Sequence, residues 1–318
     1  MKKLYVIMSL LLIANLVSAQ KKPLDHAVYD GWQSLAEKYI SNDGKLVVYT
    51  ITPQEGDAML VIQQSDGKKL FEVERGYNAH ITEDTKYVIF KIKPSFSQTR
   101  IARIAKKLPA DMPKDSLAIV NLVTLTIEKI PRVKSYKLPE KASNILFYLL
   151  EKSAADTSRP RVTDSTTTAN TAAPASRPNG AVRGGGGSAA SDGEEGTELV
   201  IRYLSGSQKR SVLLVNDYVI SKYGNVAVVK TSKKISDATS KAVVLQLTTE
   251  GDKIDTVLKV FNDAKSFVYD DAGKQLVFVA ERDSAKKESQ KFYKLYYYQT
   301  GLDSAKLLAD RYTKGLPV

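Results

Sequence analysis

The sequence predicts an all-β chain, a β-propeller segment of about five four-stranded blades forming an incomplete ring, and three observations carry that prediction. A tight polar turn running straight into a short β-branched and aromatic strand occurs five times: Ile40–Ile51 (ISNDGKLVVYTI), Thr82–Ile92, Lys141–Glu151, Lys222–Ser232 and Asp271–Arg282. Asn, Asp and Gly take the positive φ or side-chain-capped geometry of a reversal, while Val, Ile, Tyr and Phe suit a pleated, buried surface. Each copy is followed by further strand-like runs separated by turn residues. Self-similar units of roughly 40 to 50 residues, mostly strand, are the signature of propeller blades.

In the first unit Leu46–Ile51, Ala58–Gln64 and Lys69–Glu74 alternate as strands, with Ser65-Asp66-Gly67-Lys68 as the hairpin turn. The second has Tyr87–Ile92, Leu117–Leu122 and Thr126–Ile130, interrupted by an insertion, Pro94–Lys114, whose middle reads as helical and basic. In the third, Ile145–Leu150 is separated from Leu199–Leu204 by about 45 residues, Ser153 to Gly196, rich in Ser, Thr, Ala, Pro, Gly and Arg. Val162 and Val182 are almost its whole apolar content, so nothing offsets an ordering cost of roughly 1 to 2 kcal/mol per residue. It reads as a disordered loop, 153–196, inside one blade; a boundary between two domains is the other reading. The fourth unit has Val226–Thr231, Ala242–Thr248 and Lys253–Phe261, and the fifth Gln275–Ala280, Phe292–Tyr298 and Ser304–Leu308. Every unit also carries a weaker segment leading to the next turn.

The amino terminus reads as an address. Lys2 and Lys3, an apolar run from Leu4 to Leu16 and Val17-Ser18-Ala19 ahead of Gln20 have the layout of a secretory signal peptide, residues 1–19. The chain is therefore expected to be exported, to the periplasm or the extracellular space. Residues 20–39 form a lead-in, either a short helix or an irregular strand, in which Trp32 is expected to anchor the entry segment against the first sheet. The propeller segment follows, 40–318. The chain of 318 residues contains no Cys, so disulfides and thiolate metal sites are excluded. No later stretch is long and apolar enough for a membrane helix. The net charge of +12 is spread along the chain, which speaks against a nucleic-acid patch; only Arg100–Lys107 (RIARIAKK) is locally dense, without interleaved aromatics.

The ordered set LDHAVYDGWQSL, ISNDGKLVVYTITPQEGD, KPSFSQTRIARIAKK, DMPKDSLAIVNL and the polar insert between FYLLEK and TELVIRYL resembles the amino-terminal half of a secreted bacterial serine peptidase of the prolyl oligopeptidase family, over nearly the whole mature chain. The resemblance implies a propeller that sits over an α/β-hydrolase domain and restricts access to its active site, in a ring of more blades than five. Peptide would then be the substrate of a hydrolase domain absent from this chain. The family's Gly-x-Ser-x-Gly elbow is missing; Gly187-Ser188 and Gly206-Ser207 lie in linker and turn sequence. His26 and His80, the only histidines, stand upstream of any candidate Ser and read as surface or turn residues. No catalytic residue is assigned, and the chain alone is expected to hydrolyse nothing. The rival class is a stand-alone periplasmic propeller that binds protein or glycan.

No cofactor and no metal site is expected either. Glu194-Glu195 resembles the paired glutamates of the family's dipeptidyl members but lies in low-complexity linker. Asp263, Asp270, Asp271 and Asp283 lack the regular spacing of a calcium loop and read as turn formers. In Tyr296-Tyr297-Tyr298 alternation puts one face in the blade and Tyr297 on the other. An incomplete ring leaves an unpaired blade edge, so self-association of the isolated chain is expected.

Overall fold

The computed structural model describes residues 29, 31–152, 195–206, 208–283 and 290–315. The signal peptide and the bulk of the linker, 153–194, lie outside the described residues.

Four of the five recurrent turns close the same way, the third, at Lys141–Ile145, being the exception. Ser41, Thr82, Ser221 and Asp270 each donate a backbone N–H to the carbonyl five residues on, of Leu46, Tyr87, Val226 and Gln275, at 2.9 to 3.0 Å. Their side-chain oxygens accept the backbone N–H of those same four residues, at 2.9, 3.0, 3.2 and 2.8 Å. The fourth turn residue needs a left-handed backbone: Gly44, Thr85, Gly224 and Gly273 have φ of 69°, 56°, 70° and 69°. A side chain that can accept at the first position and a residue tolerant of positive φ at the fourth thus fix where each strand starts.

The strands assemble into four antiparallel sheets. The first contains β1 (Gln33–Ile40), β2 (Leu46–Pro53), β3 (Met59–Gln64) and β4 (Lys69–Glu74), paired in that order. The second contains β5 (Gly76–Ile81), β6 (Tyr87–Ile92), β7 (Ser116–Asn121) and β8 (Thr126–Ile130). A seven-stranded sheet follows, β9 (Val133–Lys137), β10 (Ile145–Leu150), β11 (Thr197–Tyr203), β12 (Lys209–Ile220), β13 (Val226–Thr231), β14 (Val243–Thr248) and β15 (Ile254–Lys259). The last holds β16 (Asp263–Tyr269), β17 (Gln275–Glu281), β18 (Lys294–Gln299) and β19 (Lys306–Ala309). The chain is all-β apart from the insertion, as the sequence predicts. The weaker segments leading to the next turn are strands, β5, β9, the second half of β12 and β16, and of the two readings of the lead-in the strand holds for β1.

The seven-stranded sheet is two units joined by one strand. Lys209–Val215 of β12 pairs with β11, and Val215–Ile220 pairs with β13. The bend lies at Leu214, whose φ is 63° and whose carbonyl accepts the N–H of Ser232 at 2.8 Å. Gly196 admits it: a Cβ there would stand 2.3 Å from the Leu214 carbonyl carbon.

Because strand side chains alternate between faces, each sheet can pack on both its neighbours in sequence. Leu46, Val48, Leu60 and Ile62 of the first sheet pack against Val88, Phe90, Ala118 and Val120 of the second. Ile89, Leu117 and Ile119, on the opposite face, pack against Tyr136, Leu146, Tyr148 and Val200. Ile145, Phe147, Leu199 and Ile201 then meet Tyr218, Ala227, Val229 and Leu247. Finally Val228, Val244 and Val257 meet Leu276, Phe278, Tyr296 and Tyr298. With no disulfide available, these junctions supply the stability; burying one such side chain fully is worth roughly 1.5 to 3 kcal/mol. Tyr297 points away from the last junction, as alternation requires.

Trp32 corrects one expectation. Its ring is 54% exposed and meets Tyr29 edge-on at 4.8 Å rather than anchoring into the first sheet. Its backbone does the tying, with the carbonyl accepting the N–H of Gln54 at 2.9 Å.

Candidate functional site

The leading strands β1, β5, β9, the second half of β12, and β16 run along one side of the stack, and four of them line a cleft of about 470 Å³. Irregularity sets their side chains. Each of β1, β5 and β16 shifts register at a residue with positive φ, namely Glu37 (45°), Asn78 (50°) and Ser266 (57°). Such a bulge re-aims the following side chain. In β1 and β5 it brings the strands together: Glu37 Oε2 accepts the N–H of Asn78 at 2.5 Å, and Tyr39 stacks on His80 with centroids 6.4 Å apart.

Beside that contact His80 Nδ1 lies 2.8 Å from the Tyr136 hydroxyl. That hydroxyl donates to the Asn78 carbonyl, with the Ile89 carbonyl 3.1 Å away. Carbonyls only accept, so Tyr136 spends its single proton on one of them and its oxygen accepts from His80 Nδ1–H. Desolvation holds His80 below its ordinary range, against smaller opposing effects of the Asn78 backbone and Glu37. The ring is therefore neutral near pH 7 and carries its hydrogen on Nδ1. Burial first, then the charges of Tyr39 and Glu37, push Tyr136 far above the ordinary tyrosine range.

Lys137, next along β9, donates to the Tyr218 carbonyl at 2.5 Å and sits 4.5 Å from the centre of that residue's ring. Burial lowers its pKa, opposed by the charge of Asp217. At the cleft mouth Lys222 pairs with Asp271 at 2.7 Å. The wall is mixed, cross-braced polar groups of different units beside apolar Leu138, Val219, Ile220, Phe267 and Val268, the last 62% exposed. His80, Tyr136 and Lys137 are committed to one another or to backbone carbonyls, so they act as braces and as a polar lining, not as a nucleophile and its base. No sequence pattern marks them, because their partners lie in other units.

The insertion folds as helix α1 (Phe96–Ile104), with Ser95 Oγ accepting the N–H of Gln98 at 3.2 Å as its cap. Arg100 pairs with Glu55 at 3.6 Å, and the Phe96 N–H donates to Asp57 at 2.8 Å, so the helix is held against the β2–β3 loop. Between them lies a second cavity, of about 730 Å³.

The other singled-out residues take up structural roles. Asp263 accepts from Tyr293 at 2.8 Å and pairs with Lys230 at 3.2 Å. Burial works to raise its pKa, but these partners outweigh it and leave the carboxyl low. Asp270 closes its turn, while Asp271 pairs with Lys222 and Asp283 with Lys294 at 2.5 Å. Among the described residues no three His, Asp or Glu are grouped as a metal site would need. Glu195 accepts the N–H of Ile235 at 3.3 Å; Glu194, Ser188, Ser207 and His26 lie outside the described residues. No helix among the described residues is long and apolar enough to cross a membrane.

No family model and no curated protein sequence matches the chain. Solved structures do resemble it. The β-propeller domain of the trilobed protease from Pyrococcus furiosus aligns at 14% identity and TM-score 0.44, covering 87% of this chain and 71% of that one. An acylaminoacyl peptidase from Pyrococcus horikoshii aligns at 14% identity and TM-score 0.42, covering 91% of this chain and 41% of the peptidase. A eukaryotic initiation factor aligns at 13% identity and TM-score 0.46, covering 88% of this chain and 56% of that one. The chain thus spans about two fifths of the acylaminoacyl peptidase.

Proposed function

We propose that this chain is the non-catalytic, access-controlling propeller part of an exported serine peptidase of the prolyl oligopeptidase type, built from five blades of a larger ring. Peptide hydrolysis then belongs to an α/β-hydrolase domain beyond these residues. The observation that carries the reading is the pair of outward faces of the stack. Val47, Tyr49 and Ile51 of β2 occupy the positions that Val88, Phe90 and Ile92 occupy in β6, where they face the preceding sheet. Val277 and Val279 of β17 correspond to Val48 and Thr50, which face the following sheet. Sheets with one face in water alternate apolar and polar residues, so apolar residues on these two faces fit sheets that continue packing. The cleft along the leading strands supports the same reading, since it is lined by four successive units.

The test uses cells that make the protein. An antibody against this chain should detect a species well above 35.0 kDa that a fluorophosphonate serine-hydrolase probe labels. A species at or below the chain's own mass, unlabelled by the probe, would overturn the peptidase reading in favour of a stand-alone binding propeller.

A further inference from the structure

We infer that the cavity between helix α1 and the first sheet is a binding site for an apolar group ending in a carboxylate, such as the carboxyl-terminal residues of a peptide. The inference is independent of the peptidase reading, because it concerns only groups described in this chain. At about 730 Å³ the cavity holds a few amino-acid residues, and its volume falls within the usual range of ligand pockets.

Charge selects the ligand. Four carboxylates line the cavity, and all four are committed. Glu37 accepts the Asn78 N–H, Glu55 holds Arg100, Asp57 accepts the Phe96 N–H, and Asp115 binds the Tyr77 hydroxyl and, at 2.7 Å, Lys91. Four cations line it too, and two of these, Lys93 and Arg103, make no ion pair among the described residues. Lys93 is nonetheless placed: its Nζ stands 4.7 Å from the centre of the Tyr77 ring, and that ring is fixed by its hydroxyl bond to Asp115. A third cation, Arg75, has contacts through Nη1 to Glu74 at 3.4 Å and Asp57 at 3.8 Å. Its Nε is buried without a hydrogen-bond partner and has no surface open to the cavity, so it adds nothing to the site. Carboxylates and cations balance in number over the whole lining, and Glu37 is met only by a backbone N–H; the donors left for an anion are those of Lys93 and Arg103.

Apolar chemistry completes the description. Phe96 and Ile104 of α1 are 38% and 72% exposed, and both line the cavity with Pro94 and Pro113. An amphipathic acid covers these apolar residues and neutralises the cations beside them. The bond from Phe96 N–H to Asp57 keeps helix and loop in place, so the site is preformed.

Calorimetry on the purified full chain tests this, with acetyl-Ala-Ala-Phe as free acid, its carboxamide, and octanoate as the lipid source of the same chemistry. The free acid should bind at least tenfold more tightly than the amide, and added salt should weaken it. Lys93→Gln and Arg103→Gln should each weaken it severalfold and together abolish it, while Lys129→Gln on exposed β8 should leave it unchanged. Octanoate binding without the tripeptide acid would keep the site and assign it to fatty acids. Equal binding of acid and amide, binding by neither acid, or indifference to both substitutions would overturn it. Comparing acid with amide on the unaltered chain keeps the test decisive if a variant misfolds.

Discussion

His80 is clamped between Tyr39 and Tyr136, and desolvation holds it below its ordinary value of 6.5, against the weaker opposing effects of the Asn78 backbone and the Glu37 charge. In the unfolded chain it takes up a proton near pH 6.5; in the folded chain it resists until lower pH. Across that interval the unfolded state binds more protons, so stability is full above about pH 6.5 and is lost as pH falls below it. The thermal midpoint should therefore drop between pH 7.5 and 5.5, and His80→Gln should flatten that slope; equal slopes in both proteins would refute the assignment. The sequence reads His80 as an ordinary surface or turn residue, and it is indeed exposed on β5; what the sequence does not show is its partners, 41 and 56 positions away. Local pattern carries no trace of such a pairing, and the same holds for Lys137 and the carbonyl of Tyr218. By contrast Asp270 and Asp271 were legible as turn residues, since turn chemistry acts within five positions.

Among elements, the turns allow a clean comparison of backbone strain with crowding. Gly44 and Gly224 have φ of 69° and 70°, but a Cβ on Gly44 meets nothing within 4 Å, while one on Gly224 would stand 2.5 Å from Pro139 Cγ and 3.1 Å from Ile145 Cγ2. Gly44→Ala should cost about 1 to 2 kcal/mol, the left-handed penalty alone. Gly224→Ala should cost that plus roughly 1 to 3 kcal/mol of overpacking, read as a lower urea midpoint; equal losses would show that the third and fourth units part freely. Strands that follow these turns were legible as β-branched and aromatic runs behind a turn cluster, down to identical bounds for Tyr87–Ile92 and Val226–Thr231. The leading strands were not, because bulges at Glu37, Asn78 and Ser266 break the two-residue period on which strand reading depends. β12 was hidden for a related reason: it belongs to two units at once, and a repeat template assigns each residue to one.

At the scale of the molecule, the outward faces of the first and last sheets carry the association behaviour of the isolated chain. Val277 and Val279, with Leu295 and Tyr297, are only partly buried on the last sheet. Sedimentation of the purified chain should show concentration-dependent self-association that the double substitution Val277→Lys, Val279→Lys shifts toward monomer; a monodisperse parent chain would count against an open stack. The order of the five copies was legible because each is written locally, whereas the cleft and the cavity under α1 arise only where separate units meet. The strand shared across Leu214 has a further effect. The junction between the first and second sheets is side chains against side chains, while that between the fourth and fifth units adds one backbone bond, from the Ala305 N–H to the Val257 carbonyl at 2.8 Å. Within the seven-stranded sheet no such seam exists, because a single peptide chain belongs to both ladders. The third and fourth units are therefore tied by a shared backbone ladder, and widening of the cleft, which the second to fifth units line, is expected from movement at the second and fifth.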